Sequence, residues 1–137
     1  MIWAEDGRFE EHDWKWASHL GGYLWKRHDL PAGRFNAGQK AYFWFVGLCS
    51  ILLVLSGVGR VCPVFGEAGQ AVVFDIHRYS ALALVLAVIA HFYLGTLANP
   101  GTFWAMISGR VGPGWARRHH PIWWDRMTKG GNKDHEE

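Results

Sequence analysis

The chain has 137 residues, which is enough for one domain or for half of a larger one. Half of the residues are apolar, and the net charge of +2 is spread over both flanks, which argues against a nucleic-acid partner. The two cysteines form no CxxC or CxxCH motif, so the composition also argues against an iron–sulfur site and against a covalently attached haem.

The first predicted element is a short helix near the N-terminus. Phe9, Trp16 and Leu20 fall near helical spacing within a polar, tryptophan-rich segment, which favours a helix that lies in a membrane interface. A basic loop over residues 26–40 follows, with a turn predicted at Pro31. We therefore assign residues 1–39 to an interfacial segment and a basic loop.

Two long apolar stretches form the centre of the chain. No Asp, Glu, Lys or Arg occurs in residues 41–59 or in residues 79–109. An apolar helix of about 20 residues crosses the hydrocarbon core of a membrane. We predict transmembrane helices at about 40–61 and about 72–98, the second ended by Asn99-Pro100-Gly101. The alternative, a soluble protein with two buried helices, is disfavoured because so short a chain could hardly cover both helices on all sides.

The distribution of positive charge predicts the orientation in the membrane. Lysines and arginines lie before the first apolar stretch and after the second, whereas the loop between them has only Arg60 and Arg78, balanced by two acidic residues. Positively charged segments stay in the cytoplasm. We expect a multi-pass protein of the inner (cytoplasmic) membrane with both termini in the cytoplasm. Residues 40–98 form its two-helix membrane domain, and residues 99–137 form an amphipathic and basic cytoplasmic tail.

The second apolar stretch carries two histidines, His77 and His91, which are 14 residues apart. At about 100° per residue, this spacing brings both to within about 40° of the same helix face, and about 21 Å apart along the axis. An ionisable group inside a membrane segment points to function by default. Haem iron takes a neutral imidazole, and small residues between the histidines leave room for a flat macrocycle. The pair therefore predicts axial ligands to two b haems stacked across the membrane.

Other roles for the histidines stay open. His77 lies close to the membrane edge beside Asp75 and Arg78 and could be solvated there, and His91 could be a hydrogen-bonded structural residue. The remaining histidines lie outside the spans, where we expect contacts with the surface or with lipid headgroups; they are His12, His19, His28, His119, His120 and His135.

Three runs of the sequence are specific as a set. They are GRFNAGQKAYFW, DIHRYSALALVLAVIAHFYL and GRVGPGWARRHHPIWW, which together fall within about residues 33–126. These runs resemble the gamma subunit of respiratory formate dehydrogenase, the cytochrome b556-type membrane subunit of that complex. The similarity is to the C-terminal half of the subunit, which contains its third and fourth helices.

The resemblance implies an all-α fold, a four-helix membrane bundle that holds two b haems, of which this chain would supply two helices. It implies that His77 ligates the haem nearer the outer face and that His91 ligates the haem nearer the cytoplasm. Asn36 and Gly38, together with His91, would line a menaquinone site. Arg78 could neutralise a haem propionate, although snorkelling to lipid headgroups explains its position equally well.

One departure from the family pattern affects the haem ligands. The other two axial histidines of the family lie on its first two helices, and the first span here, 40–61, contains no histidine. This chain alone therefore does not supply both axial ligands of either haem. A second chain from a split gene, the rest of a truncated reading frame, or self-association about a two-fold axis could supply the others.

The resemblance implies an electron-transfer role rather than formate chemistry in this chain itself. Electrons would pass from an iron–sulfur beta subunit, fed by a molybdenum or tungsten alpha subunit, through the b haems to menaquinone. Two alternatives stay open: a cytochrome b subunit of a hydrogenase or a thiosulfate reductase, and a haem-free membrane anchor for a redox complex.

Overall fold

A computed structural model of the chain describes residues 6–19, 21, 30–62, 64–99 and 101–130. These residues form helices and contain no β-strand, which confirms the predicted all-α class. The chain divides into two compact units. One comprises Met1–Ala41 with Gly101–Glu137, which we call the polar unit, and the other comprises Tyr42–Pro100, which we call the helical pair.

The polar unit contains the first helix, α1, over Glu11–Ser18. Its first turn is acidic, which suits the positive end of the helix dipole, and the Asp13 carboxylate accepts a hydrogen bond from the Glu10 backbone N–H at 2.7 Å. The predicted N-terminal helix is therefore present over these eight residues. The rest of the predicted segment includes residues 20 and 22–29, which lie outside the described residues.

The second helix, α2, spans Ala37–Val61 and starts three residues before the predicted start at about residue 40. The reason is a reciprocal cap. Asn36 Oδ1 accepts from the Gln39 backbone N–H, and Gln39 Oε1 accepts from the Asn36 backbone N–H, both at 2.9 Å. The NAGQ run at the end of the predicted basic loop is thus a helix N-terminus.

Three short helices complete the polar unit: α4 over Thr102–Ser108, α5 over Pro113–His119 and α6 over Pro121–Gly130. Gly109, with φ at 66°, ends α4 in the left-handed region, where glycine is favoured. Pro113 starts α5. A backbone N–H in the first turn of a helix has no hydrogen-bond partner within the helix, so a proline is tolerated there. The predicted amphipathic and basic tail is therefore largely helical.

Polar contacts join distant parts of the polar unit. Lys40 Nζ lies 2.6 Å from Asp13 Oδ2, and both side chains are almost fully buried, at 3% and 1% exposed. The backbone N–H of Ile122 donates to the carbonyl of Ala32 at 3.2 Å, and Ala32 is itself buried. A buried ion pair needs both partners, because either charge alone would be left desolvated.

His120 lies in this buried region and not on the surface. Its Nδ1 lies 2.8 Å from the carbonyl oxygen of Gly33, and only 6% of the residue is exposed. The expected surface or headgroup role is therefore wrong for His120, because the fold places it against a segment 87 residues earlier. Burial lowers the pKa of His120 below the ordinary 6.5, and the bond to Gly33 acts in the opposite direction.

The helical pair consists of the third helix, α3, which spans Glu67–Tyr93, and of most of α2. A π-helical stretch, Leu94–Ala98, continues α3 and ends before Asn99, as the predicted stop requires. The helix begins five residues before the predicted start at about residue 72, since Gly66 provides an extended N-cap. Val73 lies against Gly59, where a Cβ would be 3.3 Å away, so the glycine permits close helix approach.

Both helices are long and apolar enough to cross a membrane, as judged by length and composition. Most of their large apolar side chains are exposed, including Leu55, Val58, Ile89 and Phe92. In the helical pair, the buried positions among the described residues are Cys49, Ser56 and Ser80. Apolar surface on this scale needs lipid or further helices to cover it.

Candidate functional site

His77 lies in the middle of α3 and is half-buried against α2. Its Nδ1 is 3.0 Å from the hydroxyl oxygen of Ser56. The same hydroxyl is 2.5 Å from the carbonyl oxygen of Leu52, one turn earlier on α2. A Cβ placed on Gly57 would be 3.6 Å from His77 Cε1, so the ring lies directly over this small residue. The contact with Ser56 engages one ring nitrogen and leaves Nε2 for another partner.

His91 lies in the last turn of α3 and is exposed on the helix surface. Its imidazole stacks on the ring of Tyr42 from α2, with centroids 4.3 Å apart and an angle of 9° between the planes. Among the described residues, the structure gives His91 this ring contact and no hydrogen bond. The stacking fixes the plane of the ring while its nitrogens stay open to a ligand.

The two histidine sites have the same register. Tyr42 and Ser56 on α2 are 14 residues apart, as are His77 and His91 on α3. The helices run antiparallel, and each keeps a regular helical repeat. The contact between Tyr42 and His91 therefore lies about four helical turns away from the contact between Ser56 and His77. Both imidazoles therefore lie on the side of α3 that contacts α2.

Arg78 follows His77 but already has neighbours. Its guanidinium lies 3.1 Å from a carboxylate oxygen of Asp75 and donates to the Tyr79 hydroxyl at 3.0 Å. It also lies over the ring of Phe74, and Arg60 lies over the same ring at 4.7 Å from its centroid. Two cations thus lie near one end of the helical pair, so a propionate would compete with Asp75 for Arg78.

Asn36 and Gly38, the two other residues of the predicted quinone site, have structural roles in the polar unit. Asn36 caps α2 through its side-chain oxygen. A Cβ on Gly38 would lie 2.9 Å from Cη2 of Trp16, so glycine is needed there for the indole to pack. The amide NH2 of Asn36 remains a donor of the kind that a quinone carbonyl accepts from.

Sequence reasoning did not single out Ser56 or Tyr42, which hold the two imidazoles. Both occur in an apolar run in which tyrosine and serine attract little notice. The signal that would have found them is their separation of 14 residues, which repeats the histidine spacing on a neighbouring antiparallel helix. Arg60 was likewise considered for loop charge alone.

A comparison with known families decides what kind of protein carries this pair. The sequence profile of the prokaryotic cytochrome b561 family matches residues 1–109, which include α1, α2, α3 and both histidines. The chain belongs to this family. The match starts well before residue 33 and ends before the ARRHHP run, so it extends beyond the first two runs that carry the resemblance and omits most of the third.

This cytochrome b561-family chain is similar to three curated relatives, each a cytochrome b556 subunit of a formate dehydrogenase. It is 33% identical over 118 residues to the cytochrome b556(fdo) subunit of formate dehydrogenase from Escherichia coli K12, covering 83% of this chain and 56% of the relative. It is 32% identical over 109 residues to the nitrate-inducible cytochrome b556(Fdn) subunit of the same organism, covering 77% and 50%. It is 28% identical over 121 residues to the cytochrome b556 subunit from Haemophilus influenzae, covering 84% and 50%.

The similarity to formate dehydrogenase cytochrome subunits that the sequence predicts is thereby confirmed. The chain spans about half the length of the curated relatives it matches. Membership of this cytochrome b family implies a membrane protein and haem b as the cofactor. The two apolar helices are compatible with the membrane location.

The residues of the helical pair fit such a cofactor. An axial position takes a neutral imidazole nitrogen, and a ligating histidine engages its other nitrogen with a second partner. His77 has such a partner in Ser56, and His91 presents its nitrogens at an exposed surface. Over the described residues no group of three or more His, Cys, Asp or Glu could hold a metal ion. A single histidine with an orienting neighbour is the arrangement that an axial haem ligand needs.

Proposed function

We propose that this chain supplies two helices of the dihaem cytochrome b subunit of a formate dehydrogenase complex and relays electrons to menaquinone. The observation that carries the proposal is the repeated geometry of the helical pair, in which two imidazoles 14 residues apart each meet an orienting side chain on α2. The family match and the names of the relatives support the same role.

The proposed role of each histidine is matched to its position along α3. His77 and His91 would each ligate one haem, His77 toward the outer face and His91 toward the cytoplasm. Bound haem supplies one-electron redox chemistry, and the protein contributes the axial nitrogens and their surroundings. Arg78 would exchange Asp75 for a propionate, with Arg60 as a second cation near Phe74.

The partners are part of the proposal. Electrons would enter from an iron–sulfur beta subunit that receives them from a molybdenum or tungsten alpha subunit. Asn36, Gly38 and His91 would bind menaquinone, which takes up protons from the cytoplasm. The protein would lie in the inner membrane with both termini in the cytoplasm. The second axial ligand of each haem would come from helices other than these two, since α2 contains no histidine.

Reduced-minus-oxidised spectra of membranes that contain the assembled complex test this function. We expect the unaltered chain to give a b-type band, His77→Ala and His91→Ala each to lose about half of it, and the double variant to lose all of it. His19→Ala serves as the control, because this histidine lies outside the helical pair. Normal protein level with no b-type band in the unaltered complex would leave a haem-free anchor as the function.

Transfer to quinone is tested separately by formate-dependent reduction of a menaquinone analogue in the same membranes. We expect both single histidine variants to abolish it while the His19→Ala membranes retain it. Unchanged rates in the two variants would remove the electron relay even if haem were bound.

A further inference from the structure

Ser56 is a buried polar residue inside an apolar membrane helix. Only 6% of it is exposed, and its hydroxyl contacts both its own helix and the neighbouring one. Serine and threonine in helices commonly bond the carbonyl four residues earlier, as Thr96 does to Phe92 at 2.6 Å. Ser56 differs from Thr96 because its hydroxyl also reaches an imidazole.

The direction of the two hydrogen bonds follows from counting protons. A hydroxyl has one hydrogen to donate and can accept two bonds, whereas a carbonyl oxygen only accepts. A distance of 2.5 Å between Ser56 Oγ and the Leu52 carbonyl oxygen requires a hydrogen between them, and it comes from the hydroxyl. The contact with His77, at 3.0 Å, is then satisfied only if His77 Nδ1 carries a hydrogen and donates it to Oγ.

We propose that Ser56 is a positioning residue that fixes His77 in the tautomer protonated at Nδ1, so that the lone pair of Nε2 is presented for axial ligation. This inference rests on the proposed role of His77 as a haem ligand. A chain of bonds from Nδ1 through Ser56 to the Leu52 carbonyl orients the ring and fixes which of its nitrogens carries the proton. The hydrogen bond donated by Nδ1 would strengthen electron donation from an axial Nε2, which favours ferric iron, so Ser56 would lower the midpoint potential of the haem at His77.

The tautomer itself is measurable in the haem-free chain. In ¹⁵N-histidine NMR of the chain in lipid, the unaltered protein places the proton of His77 on Nδ1, and Ser56→Ala removes that preference. Ser56→Thr keeps a hydroxyl at the same position and retains the preference. Ser50→Ala is the matched control, because Ser50 lies on the same helix with its side chain exposed. A His77 tautomer that is the same in all four proteins overturns the proposal.

Redox titration of the assembled complex provides the second readout. We expect Ser56→Ala to raise the midpoint potential of one b haem and to lower the affinity of the complex for that haem about 10-fold. Loss of the hydrogen-bond partner of a metal-bound histidine has an effect of this size. Ser56→Thr and Ser50→Ala keep the potential and occupancy of the unaltered complex. A merely structural role for Ser56 would lower the amount of bound haem without shifting the midpoint potential of the haem that remains.

His77→Ala separates the two proposals. If this variant loses one haem while Ser56→Ala changes neither potential nor occupancy, the proposed function stands and the role of Ser56 is wrong. If His77→Ala keeps both haems, His77 is not a ligand and the proposed function fails in that part, whatever Ser56 does.

Discussion

The polar unit and the helical pair differ in which side chains they bury and which they expose. In the polar unit, Lys40, Asp13 and His120 are buried and make contacts between segments far apart in sequence. In the helical pair, most of the large apolar side chains are exposed, and His77 and His91 contact a serine and a tyrosine. The polar unit thus buries charged and polar side chains that pair within the chain, whereas the helical pair leaves its apolar surface to lipid or further helices.

The difference separates residues that stabilise the fold from residues that we propose bind a ligand. A buried charge in the polar unit has a partner in the chain itself, so its loss should appear as a loss of stability. The imidazoles of the helical pair have neighbours that orient them and leave nitrogens for an external partner, so their loss should appear in cofactor binding. The predictions below test this contrast, starting with the largest effect.

Lys40→Met tests whether the buried ion pair holds the polar unit. Asp13 would be left as an uncompensated buried charge, so we expect the unit to lose about 3–5 kcal/mol of stability, measured by resistance of its backbone to proteolysis in denaturant. Arg34→Met is the control, since Arg34 pairs with Asp6 while half-exposed and should contribute at most about 1 kcal/mol. Equal losses in both variants would contradict the contrast.

Gly38→Ala tests the close packing of α2 against Trp16. The added methyl group would lie 2.9 Å from the indole, so we expect a loss of about 1–3 kcal/mol in the same assay. Gly114→Ala, at a helical position of the polar unit with open space around it, is the control and should be neutral or slightly stabilising. If Gly38→Ala were stable yet lost quinone reduction, the glycine would serve the quinone site and not the packing.

His120 predicts a pH dependence of the polar unit. Because burial lowers its pKa in the folded state, the unfolded chain binds more protons below pH 6.5, and unfolding becomes easier as the pH falls below that value. Above pH 6.5 the stability that comes from the neutral ring is fully present. We expect unfolding temperatures measured from pH 7.5 to 5 to fall more in the unaltered chain than in His120→Asn, which keeps a donor for Gly33 but does not titrate in this range. Parallel curves would show that His120 does not contribute.

Tyr42→Leu has the smallest expected effect. The stacked pair contributes about 0.5–1.5 kcal/mol beyond the burial of its area, so the helical pair should remain folded. We expect the haem that we assign to His91 to be retained with a broadened or shifted spectrum, measured by low-temperature absorption, because the ring is less firmly oriented. Tyr42→Phe keeps the aromatic ring and should match the unaltered spectrum. Loss of haem in both variants would indicate a role for the tyrosine hydroxyl.

Much of the helical pair could be predicted from the sequence, since uncharged runs and the 14-residue histidine spacing are local patterns. The helix α2 starts earlier than the predicted residue 40, because the cap formed by Asn36 and Gln39 lies in a run that also suits a loop. The burial of His120 and Lys40 could not be read in this way. Both depend on contacts with residues 87 and 27 positions away, which no local periodicity records.

The equal 14-residue intervals on α2 and α3 restrict how the chain can change length. Deleting one residue between His77 and His91 would turn the second imidazole by about 100° and move it off Tyr42. Removing seven residues, close to two full turns, from each helix between its paired positions would keep both contacts and shorten the distance between the imidazoles by about 10 Å. Related chains with a different interval between these histidines should therefore differ by whole pairs of turns, matched on both helices.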